Sequence, residues 1–396
     1  MRKICLRPMH PNLARSFARF CSAGLLLPVV MLAGCSTGKF FPPLGDGGGG
    51  GGGGGGNSTG DFLYAGNLGT NPLTVAGFSL ANGALSVISG SAWQVSLEPN
   101  ALAITPNNAY LYMGSAAGGI YVYTIGSNGA ISLGNSGAPV ATGVEPSVLR
   151  VDPTGKWLIG ADAFAGEAYV FQIGSGGVLT SISSSFITLN STTPATDMQI
   201  TPSGSYIFVS CGTAGIYTLS FNSSNGAMAQ VHGVLSPKTN GGADNGMAIT
   251  PSGSYLLAAE TGIGAVRVFS IQTNGVIGEV SGSPVAVGTG AYSVLVESTG
   301  SYVYVADRTA GNIKGFSIDT AGALTAISGS PFAAGKFPVA MVEDKTDTYI
   351  AVICAGGSPD LEVYKFDTTT PGALVKLTTA TTGTDPTQAT SLAATH

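Results

Sequence analysis

The sequence predicts an all-β protein: a seven-bladed β-propeller of four-stranded blades, its ring closed by a C-terminal strand that completes the first blade. Three observations predict it. An aromatic residue recurs at Phe62, Tyr110, Trp157, Tyr206, Tyr255, Tyr302 and Tyr349, at spacings of 48, 47, 49, 49, 47 and 47 residues. Two further landmarks follow each anchor, first a strand-like run such as "GIYVYTI", "AVRVFSI" or "NIKGFSI", then a turn and strand such as "NGALSVISGS", "NGVIGEVSGS" or "AGALTAISGS". Each unit thus carries about four short strands parted by Gly, Asn and Pro turns, and four strands per ~48-residue period is the pattern of propeller blades. The third observation is at the chain ends. Every anchor but Phe62 is preceded by an inner strand such as "PNALAIT", and the missing one stands at the other end as "DPTQATSLAAT". Closing the ring with it removes an exposed sheet edge.

Before the propeller come two other segments. Residues 1–34 read as a targeting leader, with Arg2, Lys3, Arg7, Arg15 and Arg19 followed by the apolar "AGLLLPVVMLAG", too short for a comfortable membrane span. It ends in "LAGC", which resembles the lipobox of bacterial lipoproteins. That resemblance implies cleavage before Cys35 and a lipid on its thiol, anchoring the protein in the cell envelope. Residues 35–60 hold ten consecutive glycines, Gly47–Gly56, a composition that cannot bury apolar surface and reads as a flexible tether. The "GNSTG" within it matches G-x-S-x-G but lacks the strand before and helix after that a nucleophile elbow needs. Residues 61–396 are the propeller. The formal charge of −5 becomes −10 without the five leader cations, which argues against a nucleic-acid partner.

At this point the repeats, among them "YVYVAD…IKGFSIDTAGALTAISGSPF" (302–332), resemble the lactonase-like seven-bladed propellers, the 6-phosphogluconolactonase-like group. The resemblance covers nearly everything from residue 61 onward and implies the fold, with lactone hydrolysis as the activity of the group. Such a lactonase would carry arginines and a histidine around a phosphosugar. Here the propeller keeps only Arg150, Arg267 and Arg308, and its internal histidine, His232, lies on an outer strand.

Topology divides the loops. With strands A to D running from the axis outward, the A–B and C–D turns share one face, and the B–C loops and D–A crossings share the other. "TPNNAY", "DPTGKW", "TPSGSY" and "ESTGSY" are A–B turns, and their Ser and Thr residues are turn formers. The opposite face is more varied. Five residues after each anchor stand Asn67, Ser115, Asp162, Cys211, Glu260, Asp307 and Cys354, a ring whose carboxylates could bind a cation, act as acid or base, or cap the backbone of the B–C turn. The D–A crossings add Trp93, Glu98, Glu145, Lys238, Asp244, Lys336 and Asp385.

Arg150 interrupts an inner strand where other blades place Ala103, Gln199, Ala248, Leu295 and Met341. It could clamp an anion, or pair with Glu145 or Asp197 as a buried bridge. Arg308, beside Asp307 on the B–C loop of its blade, is the second cationic candidate, the alternative being a solvated surface arginine. Histidine is too scarce for a triad or a His-based metal site, so no metal and no cofactor is expected. Cys211 and Cys354, three blades apart, should remain free thiols.

Two functions follow. The first is a monomeric, membrane-tethered binding or scaffold module that presents its B–C/D–A face to a protein, glycan or small ligand, with Arg308, Asn67 and Trp93 as contacts. The alternative, implied by the resemblance, is a lactone hydrolase in which Arg150 or Arg308 holds an anionic substrate while Glu260, Asp307 or Asp162 activates water.

Overall fold

The computed structural model describes residues 59–68, 72–164, 166–189, 193–235, 244–383 and 389–396. The leader, Cys35 and the glycine run lie outside the described residues, as do Lys238 and Asp385. Seven antiparallel sheets form, one per repeat, each ordered from inner strand to outer strand as the sequence runs. The first sheet breaks sequence order, because its inner strand, Ala389–Ala394, pairs with Phe62–Asn67. The remaining inner strands are Ala101–Ile104, Pro146–Val151, Asp197–Ile200, Asp244–Ile249, Ala291–Val296 and Pro338–Glu343. Each of the seven lies against the next, and the last touches the first, so the propeller is closed.

Side-chain alternation explains the packing. A blade buries both of its faces, so its strands are apolar at nearly every position rather than at alternate ones. Seven apolar clusters result, each filling one gap between neighbouring blades. Leu102, Ile104 and Met113 of blade two, for example, pack on Tyr64, Val75 and Ala393 of blade one.

Two devices repeat in all seven blades and account for the landmarks. The residue closing each inner strand accepts a hydrogen bond from the backbone N–H of the anchor five positions on. Thr105, Thr201 and Thr250 do so through Oγ1 at 3.0 Å, Asp152 at 2.8 Å, Glu297 at 2.9 Å and Asp344 at 2.6 Å. In blade one the same bond spans the chain ends, from Phe62 N–H to Thr395 Oγ1 at 2.8 Å. The serines of both "TPSGSY" turns likewise bond within the turn, Ser203 Oγ to Thr201 Oγ1 and Ser252 Oγ to Thr250 Oγ1.

The second device is a clasp. Each anchor ring covers a C–D turn glycine of the next blade: Phe62 on Gly129, Tyr110 on Gly177, Trp157 on Gly226, Tyr206 on Gly275, Tyr255 on Gly322, Tyr302 on Gly372 and Tyr349 on Gly83. All seven glycines have φ between +73° and +82°. A Cβ at Gly322 would lie 2.7 Å from the Tyr255 ring. Glycine is therefore required twice over, by backbone conformation and by space.

Candidate functional site

The ring five residues after the anchors is buried throughout, and its members look inward. Ser115 Oγ accepts from Ala117 N–H at 3.2 Å, and Asp307 Oδ1 accepts from Thr309 and Ala310 N–H at 3.1 and 3.0 Å. These two cap their own B–C turns. Asp162 instead receives Glu145 N–H on Oδ1 at 2.9 Å, tying the B–C end of blade three to the crossing that enters it. Glu260 pairs with Arg267 at 3.5 Å. Asn67 is buried beneath Thr74 and Gly383, where a Cβ on Gly383 would come within 2.6 Å of its Nδ2. Cys211 and Cys354 are buried free thiols, and burial pushes Cys354 up to about 12.

Arg150 takes the bridging alternative. Its Nη2 meets Asp197 Oδ1 of blade four at 2.6 Å, and its Nη1 donates to Leu149 O at 2.9 Å. Asp197 also accepts Met198 and Met247 N–H, each at 2.7 Å, so one carboxylate joins the inner edges of blades three, four and five. Burial raises the Asp197 pKa against the opposing pull of Arg150. Gln199 continues the seam to Met247 O at 2.8 Å. These are inner strands whose axial edges have no neighbouring strand, and side chains supply the missing partners. The register also corrects one assignment: Val342, opposite Ala351, matches Arg150 opposite Ile159, so Met341 is one position off.

Arg150, Glu260 and Asp307 thus serve three separate sets of contacts in blades three, five and six, and no shared constellation unites them. Trp93 is likewise not a free loop residue. It belongs to a fifth short strand, Trp93–Gln94, paired to the outer side of blade one, and its ring lies against Gly77 and 6.4 Å from Tyr64.

Two buried ionic networks were missed by sequence reasoning. Arg267 reaches Glu279 at 3.2 Å as well as Glu260, and stacks 5.4 Å from the Phe269 ring. In blade seven Glu362 receives Lys376 Nζ at 2.8 Å and Tyr364 OH at 2.5 Å. Arg267 pairs with Ala258 and Glu362 with Val352, both three residues after an anchor. Equivalent positions hold Tyr121, Tyr169 and Tyr217, so the departure from the repeat was the available signal.

Two groups toward the B–C/D–A face stand out by their electrostatic surroundings. Burial pushes Asp162 up to about 6, helped by the negative charges of Glu167 and Glu145 and opposed by the Glu145 N–H. Close by, Phe164 is 58 % exposed. Across the ring, Arg308 stands with its guanidinium 5.2 Å from the Tyr292 ring and 5.5 Å from the Phe337 ring. A cavity of about 350 Å3 lies along the outer strands of blade one beside the crossing that leaves blade seven, lined by Thr74, Phe78, Gln94 and Thr382. Among the described residues no group of acidic, Cys or His side chains could hold a metal ion. Nor is any helix among them long and apolar enough to cross a membrane.

With the fold and rim in view, the class is defined as a closed seven-bladed propeller. The chain matches the model of the lactonase, 7-bladed β-propeller family over residues 62–390, and it belongs to that family. No curated protein matches the sequence. Among solved structures it is similar to a proposed 6-phosphogluconolactonase from Bacteroides uniformis, with a TM-score of 0.70 at 16 % identity over 84 % of this chain and 98 % of that one. A second, from Bacteroides fragilis, gives 0.69 at 18 %, over 86 % and 99 %. The periplasmic gluconolactonase of Pseudomonas aeruginosa gives 0.67 at 14 %, over 85 % and 99 %. Identities this low carry the fold alone.

Proposed function

We propose that this protein is a hydrolase of sugar-acid lactones, working at its B–C/D–A face. The observation that carries the reading is membership of the lactonase family across the whole ring. Structural likeness to proteins bearing gluconolactonase names supports it. Hydrolysis adds water to the lactone carbonyl and breaks the ring C–O bond, giving a hydroxy acid; the water must lose a proton as it attacks. Asp162, pushed up to about 6 by burial, is a carboxyl on this face whose affinity for a proton suits a base near neutral pH, whereas Asp197, also raised to about 6, is held by Arg150. The carboxylates Glu145 and Glu167 beside it favour an uncharged lactone over a phosphorylated one.

The leader, the "LAGC" motif and the glycine run support an envelope-tethered location with Cys35 as the lipidated residue, and the protein is read as a monomer. An uncharged lactone suits such a location.

The test is turnover of glucono-1,5-lactone by the full chain, followed by acid release above the spontaneous rate. 6-Phosphogluconolactone serves as the charged comparison. Turnover lost in Asp162→Asn supports the assignment. Should wild-type protein turn over neither lactone, the binding-module reading replaces this one.

A further inference from the structure

We infer that the cavity beside blade one is a second binding site, one that takes an uncharged, phenol-like ring. It stands apart from the hydrolase reading, because Asp162 lies in blade three and lines no part of this cavity. A break in the repeat creates it. In every blade the third strand sets one residue opposite the position three after the anchor. The seven registers place Ala76, Tyr121, Tyr169, Tyr217, Arg267, Lys314 and Glu362 there. Six blades thus carry a long side chain at this point, and blade one carries a methyl group.

The position faces the preceding blade. Tyr121, Tyr169 and Tyr217 lie in the cores that blades two, three and four share with the blade before each. Ala76 belongs to the core between blades seven and one, and it lines the cavity of about 350 Å3. By the same register, the cavity lies where those phenol rings lie in the earlier gaps. Its volume exceeds the ~150 Å3 of apolar cavity that takes up benzene, and it falls at the small end of ligand pockets. Val87, opposite Phe78 and 64 % exposed, stands at the rim, so the cavity opens to solvent at the outer edge of the blade.

The walls specify the ligand. Buried Ala76 and Phe78 form, with Ala92, an apolar side against which a ring packs, and an aromatic ring gains further from the edge or face of Phe78. The other edge is neutral and polar. Thr74 and Gln94 are directly opposite on paired strands, and Thr381 joins them from the crossing that leaves blade seven. A hydroxyl and a carboxamide both donate and accept, which suits a ligand O–H. No Asp, Glu, Lys or Arg among the described residues lines the cavity, so a charged ligand would lose hydration there without compensation. Three blades use tyrosine at this point, and a free phenol supplies the same ring and hydroxyl.

Titration of the full chain with p-cresol, the tyrosine side chain as a free molecule, tests the site by calorimetry and by thermal unfolding. Glucose, hydroxylated but not aromatic, and 4-hydroxybenzoate, phenolic but charged, are the comparison probes. Wild type should bind p-cresol saturably, at least tenfold more tightly than either comparison probe, and gain Tm with it. Ala76→Tyr, which restores the repeat, should weaken p-cresol binding tenfold or more and raise Tm without ligand. If that variant does not fold, Ala76→Leu, with its shorter side chain in the same cavity, carries the same expectation for binding. No saturable p-cresol binding by wild type, or binding as tight in these variants, overturns the site. Tighter binding of glucose or 4-hydroxybenzoate overturns the ligand class. Lactone turnover unchanged in Ala76→Tyr, with p-cresol binding lost, separates this site from the hydrolytic one. Turnover absent in wild type with p-cresol binding intact removes the hydrolase and leaves this site standing.

Discussion

Replacing Asp162 with Asn should make the folded protein more stable at neutral pH while abolishing lactone turnover. The carboxyl is 4 % exposed and its pKa is pushed from 3.8 to about 6 by burial and by Glu167 and Glu145. A folded-state pKa above the unfolded one means that the folded state binds the proton more tightly, so stability falls as pH rises from about 4 to 6. Above that window the full penalty applies. A shift of about two units corresponds to roughly 3 kcal/mol, since one unit is about 1.4 kcal/mol. Asn keeps an acceptor for Glu145 N–H and removes the charge. A gain of about 1–3 kcal/mol at pH 7.5 is expected, and at ~2 °C per kcal/mol for a domain of this size it raises Tm by about 2–6 °C. The assay is thermal unfolding of both proteins from pH 4 to pH 7.5, with turnover measured in parallel. The gain should vanish near pH 4, where wild-type Asp162 is already protonated. A Tm difference that is absent, negative, or constant across that range would refute the reasoning.

Three further outcomes follow from the scaffold. Gly322→Ala, with φ +82° and the Tyr255 ring 2.7 Å from the new Cβ, should cost about 2–5 kcal/mol. Gly282→Ala, at φ +87° with nothing within 4 Å, should cost only about 1–2 kcal/mol; equal losses in urea unfolding would sink the clasp. Arg150→Met strands the buried Asp197 carboxylate and should cost about 3–5 kcal/mol, most of it recovered in the double variant with Asp197→Asn. A single-variant loss under about 1 kcal/mol would show that the pair does not bridge the blades. Removing residues 389–396 strips blade one of its inner strand and bares an edge of Phe62–Asn67, so light scattering should report association. A monomer with unchanged Tm would contradict ring closure.

The architecture was legible because a propeller writes each structural need seven times. The aromatic anchors, the turn glycines and the polar residue closing each inner strand recur at a fixed period, since each blade meets the next through the same clasp and the same cap. Even closure could be read, from an inner strand missing at Phe62 and spare at Ala389–Ala394. The site could not be read this way, because function resides where the repeat is broken, and a broken position does not say what it faces. Asp162, Glu260 and Asp307 look equivalent in sequence. One caps a crossing, one pairs with an arginine on the next strand and one caps its own turn. Arg150 and Arg308 likewise look alike as isolated cations. Only the tertiary structure set Asp197 of the neighbouring blade against the first and two aromatic rings against the second. Local sequence determined strands, turns and their period because those depend on neighbours along the chain. The state of each charged group was decided across blades, by partners about fifty residues away or on the far side of a turn.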